Sequence, residues 1–166
     1  MPRGPHSPKH LCTMLRPRSG EHILEVGPGI GVHALPIARA LLPGGTLAVL
    51  DVQQPMLDAL MRRAAKAGLT NIVPTHGSTE KLPYSDRTFE AAYLVGVLGE
   101  ISDPAAALRE LKRVLKPGGR LVISELFIDP DFIRLRILIG MARQAGFLLE
   151  RSVGPRLAYS AVFRSG

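Results

Sequence analysis

Apolar and polar positions fall into blocks along this chain of 166 residues, and the blocks switch between two periods. Glu21 to Val26, Thr46 to Leu50, Asn71 to Thr75, Phe89 to Val95 and Arg120 to Glu125 are short apolar runs of the kind that form buried strands. Between them the apolar residues recur at helical spacing. Ala34, Leu35, Ile37, Ala38, Leu41 and Leu42 recur in this way, with Pro36 in or near the first turn and Pro43-Gly44-Gly45 as the stop. Pro55 opens a second helix, in which Leu57, Leu60, Met61 and Ala64 turn inward while Arg62, Arg63 and Lys66 face out. Asp103-Pro104 caps a third, which buries Ala107, Leu108, Leu111, Val114 and Leu115 and is closed by Lys116-Pro117-Gly118-Gly119. This alternation predicts a parallel sheet with right-handed crossovers and helices on both faces.

The C-terminal part differs. Asp131 to Ala145 reads as a helix whose apolar arc (Leu135, Leu138, Ile139 and Ala142, widened by Ile137 and Met141) exceeds one sheet-facing stripe. Phe147 to Val153 and Leu157 to Phe163 are strands joined by Gly154-Pro155-Arg156, a connection short enough to require an antiparallel hairpin. At the other end, Met1 to His10 reads as a loose tail and Leu11 to Arg16 as a short helix before Pro17. The predicted organisation is a tail and short helix over 1–20, then a single doubly wound α/β domain over 21–166.

The chemistry centres on Leu24-Glu25-Val26-Gly27-Pro28-Gly29-Ile30-Gly31, a strand that breaks into alternating glycines and resumes as helix. Glycine at every second position lets the backbone turn sharply and lets a ligand approach the main chain at a helix N-terminus. Asp51 ends the second strand about 20 residues later, where a carboxylate accepts hydrogen bonds from vicinal ribose hydroxyls. The pair points to a nucleoside-type ligand. A nicotinamide-dependent oxidoreductase is one class that uses such a pair, but its fingerprint wants G-x-G-x-x-G, and position 32 here is Val.

Composition narrows the partners. With 46% hydrophobic residues the chain can bury one core, and no apolar run approaches the roughly 20 residues of a membrane helix. The N-terminus lacks the apolar core of a secretory signal. Cys12 is the single cysteine, which fits a reducing cytoplasm and removes mechanisms built on a thiolate cluster. The net charge of +7 is spread over separate helices with few aromatics beside it, which argues for a solvated surface over a nucleic-acid groove. No acid cluster in the sequence suggests a catalytic magnesium.

The glycine turn resembles that of class I S-adenosylmethionine-dependent methyltransferases, in the small-molecule branch of the ubiquinone and menaquinone biosynthesis enzymes. Further likeness lies in Asp51 followed by Pro55-Met56-Leu57, in Glu80-Lys81-Leu82-Pro83-Tyr84-Ser85-Asp86 before Phe89-Glu90, and in Leu111-Lys112-Arg113-Val114-Leu115-Lys116-Pro117-Gly118-Gly119. The resemblance covers residues 21 to 164 and implies a Rossmann-like, seven-stranded sheet, mostly parallel, whose last strand runs antiparallel. It also implies S-adenosylmethionine as cofactor, S-adenosylhomocysteine as product and a small organic acceptor. Gly27, Pro28, Gly29 and Gly31 would line the methionyl and ribosyl part, with Glu25 placing the ammonium group and Asp51 the ribose. Val52 and Met56 would flank the adenine, and Val95 and Gly96 would approach the methionine near the sulfonium. The loop of Gly77, Ser78 and Thr79 would meet the adenine amine, with Ser78 where relatives often carry Asp. Gly99-Glu100 stands where they often carry His-His.

A sulfonium methyl is already activated, so the work is alignment of the acceptor and exclusion of water. Glu100 and Glu125, each just beyond a strand's C-terminal end, are candidate bases by topology, followed by His33 and Tyr93. No Asn-Pro-Pro-Tyr-type segment follows the fourth strand, which argues against methylation of an amide nitrogen or an adenine amine. The short N-terminal segment implies an acceptor site that is open, suited to a bulky substrate, or completed by a second subunit. Ile137 and Met141 are the candidate contacts of a homodimer, and a non-catalytic cofactor-binding subunit is the alternative to an enzyme.

Overall fold

The computed structural model describes residues 6–166, in which seven strands form one sheet. The strands are β1 (His22–Val26), β2 (Thr46–Asp51), β3 (Ile72–His76), β4 (Phe89–Val95), β5 (Leu115–Leu126), β6 (Phe147–Val153) and β7 (Ala158–Ser165). Their order is β3-β2-β1-β4-β5-β7-β6. The β1, β2, β3, β4 and β5 ladders are parallel, and β7 runs antiparallel to both its neighbours. The antiparallel strand is the last in the sequence, yet it lies inside the sheet and leaves β6 on the edge. The burial patterns explain this. Tyr159 to Phe163 are all buried, whereas Leu148, Leu149 and Val153 of β6 are exposed.

Five α-helices cover the two faces: α1 (Pro8–Leu15), α2 (Ala34–Ala40), α3 (Gln54–Lys66), α4 (Pro104–Val114) and α5 (Leu135–Gln144). On one face α1, α2 and α3 pack Leu15, Ile37, Leu41, Leu57 and Leu60 against Ile23, Val49, Tyr93 and Val162. On the other, α4 and α5 pack Leu108, Leu111 and Leu138 against Leu24, Leu94, Ile123 and Phe163. No helix among the described residues is long and apolar enough to cross a membrane.

Several boundaries differ from the sequence expectation. Residues 1–5 of the expected tail lie outside the described residues, but the helix begins at Pro8, not Leu11. Ser7 caps it by accepting from the His10 N–H at 3.1 Å, and Pro8 occupies the first turn, where its missing N–H costs nothing. Strand β5 begins at Leu115, which pairs with Phe89 before Lys116 to Gly119 shift the register. Helix α5 begins at Leu135, four residues after the predicted start. Its residue Met141 packs back on the core, while Ile137 is exposed.

Two polar anchors hold the frame. Arg120 of β5 grips Glu21 with two guanidinium nitrogens, at 2.9 and 2.8 Å, and donates to the Leu15 carbonyl, which ties α1 to the sheet. Arg113 of α4 donates to Leu82 O, Tyr84 O, Asp86 and Glu110, which pins the loop between β3 and β4.

Candidate active site

A cleft of about 510 Å³ opens at the carboxyl ends of β1, β2 and β4, the position at which open α/β sheets bind ligands. Its floor is the glycine turn. Gly27 (φ +69°) donates to the Leu50 carbonyl at 2.8 Å, which bends the chain off β1 toward β2. A Cβ at Gly27 would stand 2.7 Å from a methyl of Val97, so Val97 closes directly over the turn. Gly29 (φ +57°) faces open space: a Cβ there would meet nothing nearer than Met56 Cε, at 3.9 Å. That bare backbone is a cradle a side chain would fill. Gly31 serves packing, because Leu60 of α3 lies 3.1 Å from where its Cβ would be.

Three walls rise around this floor. Asp51, Val52, Gln53 and Met56 form the first. The Asp51 carboxylate accepts from the Gln53 N–H at 2.9 Å and is half-buried, so one oxygen is oriented while the group still faces the cleft. Ser78, Thr79 and Glu80 form the second, held because Gly77 donates to the Asp51 carbonyl at 3.0 Å. Ser78 Oγ accepts from the Glu80 N–H, and Glu80 accepts from the Asp103 N–H. Val97, Glu100, Ile101 and Ser102 form the third.

The remaining expected site residues sit behind these walls. Pro28 is buried in the turn, Val95 packs toward the α1–α3 face, and Gly96 continues the ladder by donating to Ser124 O at 2.8 Å. Glu25 lies beneath the turn, 3% exposed, with neither carboxylate oxygen hydrogen-bonded. Burial pushes its carboxyl up to about 8, the neighbouring Tyr93 hydroxyl partly opposing this and Asp51 adding to it. A buried carboxyl with no cation beside it is the kind of group an incoming ammonium would ionise and satisfy, so these residues and the bare turn fit an amino-acid nucleoside.

The candidate bases separate. Glu100 lines the cleft. Glu125 is buried at 1% exposure beneath the Gly99 backbone and does not line it, and burial together with Asp129 raises its carboxyl to about 7. Tyr93 is sealed in the core beside Glu25. His33 donates from Nε2 to the His6 carbonyl at 2.8 Å and also lies outside the lining. Val97, Ile101, Ser102, Gln53 and Glu80 line the cleft without being among the site residues expected from the sequence.

The methyltransferase domain family matches residues 24–123, from the glycine strand to the middle of β5. The chain belongs to that family. The match sets aside the nicotinamide-dependent alternative. Among curated relatives, the ubiquinone/menaquinone biosynthesis C-methyltransferase UbiE of Saccharophagus degradans is 32% identical over 136 residues, 76% of this chain and 54% of its own length. The demethylmenaquinone methyltransferase of Tropheryma whipplei is 32% identical over 145 residues, 84% of this chain and 58% of its own. The chain therefore spans little more than half the length of these relatives. Among solved structures, a SAM-dependent methyltransferase from Aquifex aeolicus superposes with a TM-score of 0.85 at 23% identity, covering 95% of this chain and 88% of that one. The [4+2]-cyclase SpnF superposes at 0.84 with 21% identity, covering 95% and 79%. At such identities these two show the fold alone, a Rossmann-like fold.

Proposed function

We propose that the chain transfers a methyl group from S-adenosylmethionine to a small organic acceptor, releasing S-adenosylhomocysteine. The observation that carries this is the convergence of the open Gly29 backbone and the Asp51 carboxylate on one cleft, in a member of the methyltransferase domain family. In this reading Asp51 accepts from the ribose hydroxyls, and Gly27 and Gly29 let the cofactor lie on the main chain. Met56 and Val52 flank the adenine, Ser78 and Thr79 meet its amine, and Gly96 with Val95 bounds the methionine end. Glu25 receives the ammonium from below. The cofactor supplies an activated methyl; the residues hold it, exclude water and present the acceptor from the side of Glu100.

The quinone relatives support a small-molecule acceptor, and the half-buried single thiol of Cys12 suits a reducing, cytoplasmic setting. For a second copy, Ile137 is the accessible contact on α5. Sedimentation showing only monomer at working concentration removes that assembly. The cofactor reading is tested by thermal shift: S-adenosylhomocysteine should raise the melting temperature and NAD should not. No shift with S-adenosylhomocysteine overturns it.

A further inference from the structure

The loops that leave β4 and β5 press against each other and bring four acids into one corner beside the cleft. A Cβ on Gly96 would stand 3.3 Å from Asp129 Oδ2, and one on Gly99 would collide with the Asp131 carbonyl, so the 96–100 and 129–131 segments are in direct contact. Beneath them lies Glu125, 1% exposed, with Oε1 lacking any partner among the described residues. Among the described residues, the charged groups acting on Glu125 are Asp129, Glu100 and Asp131, all acids, and the Gly99 N–H opposes them. Nearby donors are committed elsewhere: the Tyr159 hydroxyl donates to Ile133 O, and His6 donates to the Glu125 backbone carbonyl, not to the carboxylate. Glu100 opens this corner to the cleft. It lines the wall, is exposed, and its carboxylate has no hydrogen-bond or ion-pair partner among the described residues.

Such a concentration of acid, with no cationic side chain bonded to it among the described residues, suits a cationic ligand. No three His, Cys, Asp or Glu among the described residues are placed to hold a metal ion, which leaves an organic cation. We infer that the acceptor is an amine, drawn in as its ammonium form and held by Glu100 at the acidic corner of Glu125, Asp129 and Asp131. The inference rests on the methyl-transfer reading and gives that site its substrate class. A neutral acceptor gains nothing from the corner, and an anionic one is repelled.

The chemistry balances without another reactant. The bound ammonium gives one proton to the Glu100 carboxylate or to water, which frees the nitrogen lone pair. That pair forms the N–C bond to the donor's methyl as the C–S bond breaks, its electrons remaining on sulfur. The nitrogen is again positive, now next to the acids, and Glu125 and Asp129 act as positioning residues through their field.

The test uses the full chain saturated with S-adenosylhomocysteine and three probes of one shape: benzylamine, benzyl alcohol and benzoate, titrated by calorimetry. Benzylamine should bind roughly tenfold tighter than benzyl alcohol, and benzoate should not bind, because a contact between opposite charges is the stronger kind of hydrogen bond and one between like charges is repulsive. Glu100→Gln and Asp129→Asn should each weaken benzylamine and leave benzyl alcohol unchanged. Failure of benzylamine to bind better than benzyl alcohol, or full amine affinity in both variants, overturns the inference. If S-adenosylhomocysteine itself does not bind, the methyl-transfer reading falls; if it binds without amine preference, only the amine assignment does.

Discussion

Glu25 and Tyr93 are register partners on β1 and β4, and their side chains lie buried side by side under the glycine turn. The buried carboxyl, raised to about 8 by desolvation, holds a proton at neutral pH that the unfolded chain, titrating near 4.5, has lost. Between these two values the native state binds more protons than the unfolded state, so stability falls as pH rises through the window. The melting temperature without ligand should therefore be higher at pH 6 than at pH 8. Glu25→Gln should flatten much of that slope, the remainder arising from Glu125, which is raised to about 7 by burial and Asp129.

The same pocket links cofactor binding to protons. An ammonium placed at Glu25 favours the ionised carboxylate, so binding of S-adenosylhomocysteine at pH 7 should release a proton. Calorimetry in two buffers of different ionisation enthalpy should show this release in the wild type and not in Glu25→Gln. Equal proton release in both proteins would place the ammonium elsewhere.

Asp51→Ala removes a carboxylate whose one internal bond is to the Gln53 N–H, so its cost to stability should stay near 1 kcal/mol. Affinity for S-adenosylhomocysteine should drop by about tenfold or more if Asp51 is the acceptor for the ribose hydroxyls, as proposed. Gly29→Val should abolish binding by filling the open backbone and by demanding φ +57° of a β-branched residue. Circular dichroism separates loss of binding from loss of fold.

Arg120→Ala should behave in the opposite way. The pair with Glu21 is only 12% exposed on each side, and truncating Arg120 leaves the Glu21 carboxylate with the Arg18 N–H as its remaining partner and frees the end of α1. Urea denaturation should show a loss of about 3 kcal/mol. The intrinsic affinity for S-adenosylhomocysteine, measured where the variant is folded, should be unchanged because neither residue lines the cleft.

Arg113→Ala tests the loop of the second wall. It removes donors to Leu82 O, Tyr84 O, Asp86 and Glu110 together, so both stability and cofactor affinity should fall, the latter by a fewfold as Ser78 and Thr79 lose their fixed position. Hydrogen exchange should localise the loosening to residues 77–88.

Local pattern carried the parts of the fold that local physics decides. The glycine turn, the strand ending in Asp51 and the Asp103-Pro104 cap stand where the residue types require them. The start of α1 was also legible in Ser7-Pro8, a cap followed by a first-turn proline, but the basic and proline-rich tail masked it. The place of β7 was less so. Hairpin length gave its direction, while its insertion between β5 and β6 follows from which of two strands can bury both faces, a comparison of Tyr159–Phe163 with Leu148–Val153. The acidic corner was out of reach: Glu100 and Glu125 stood out singly as candidate bases, but nothing in the sequence joins them to Asp129 and Asp131 until the loops after β4 and β5 are folded together. Val97 was missed for the same reason: its role depends on the vacant Cβ position of Gly27, far away in sequence.

The position of β7 sets an order on how this molecule can come into being. The glycine turn, Asp51 and the three walls of the cleft are all encoded before residue 103, yet β5 has its second neighbour only once residues 158–165 arrive. A nascent or clipped chain lacking them would carry a nearly complete ligand site on a sheet whose β5 edge, from Arg120 to Leu126, stands bare and apolar, ready to pair with another such edge. The last strand thus acts as a seal on the sheet as well as a member of it, and shortening the chain by one hairpin strand should turn a ligand-binding domain into an aggregating one.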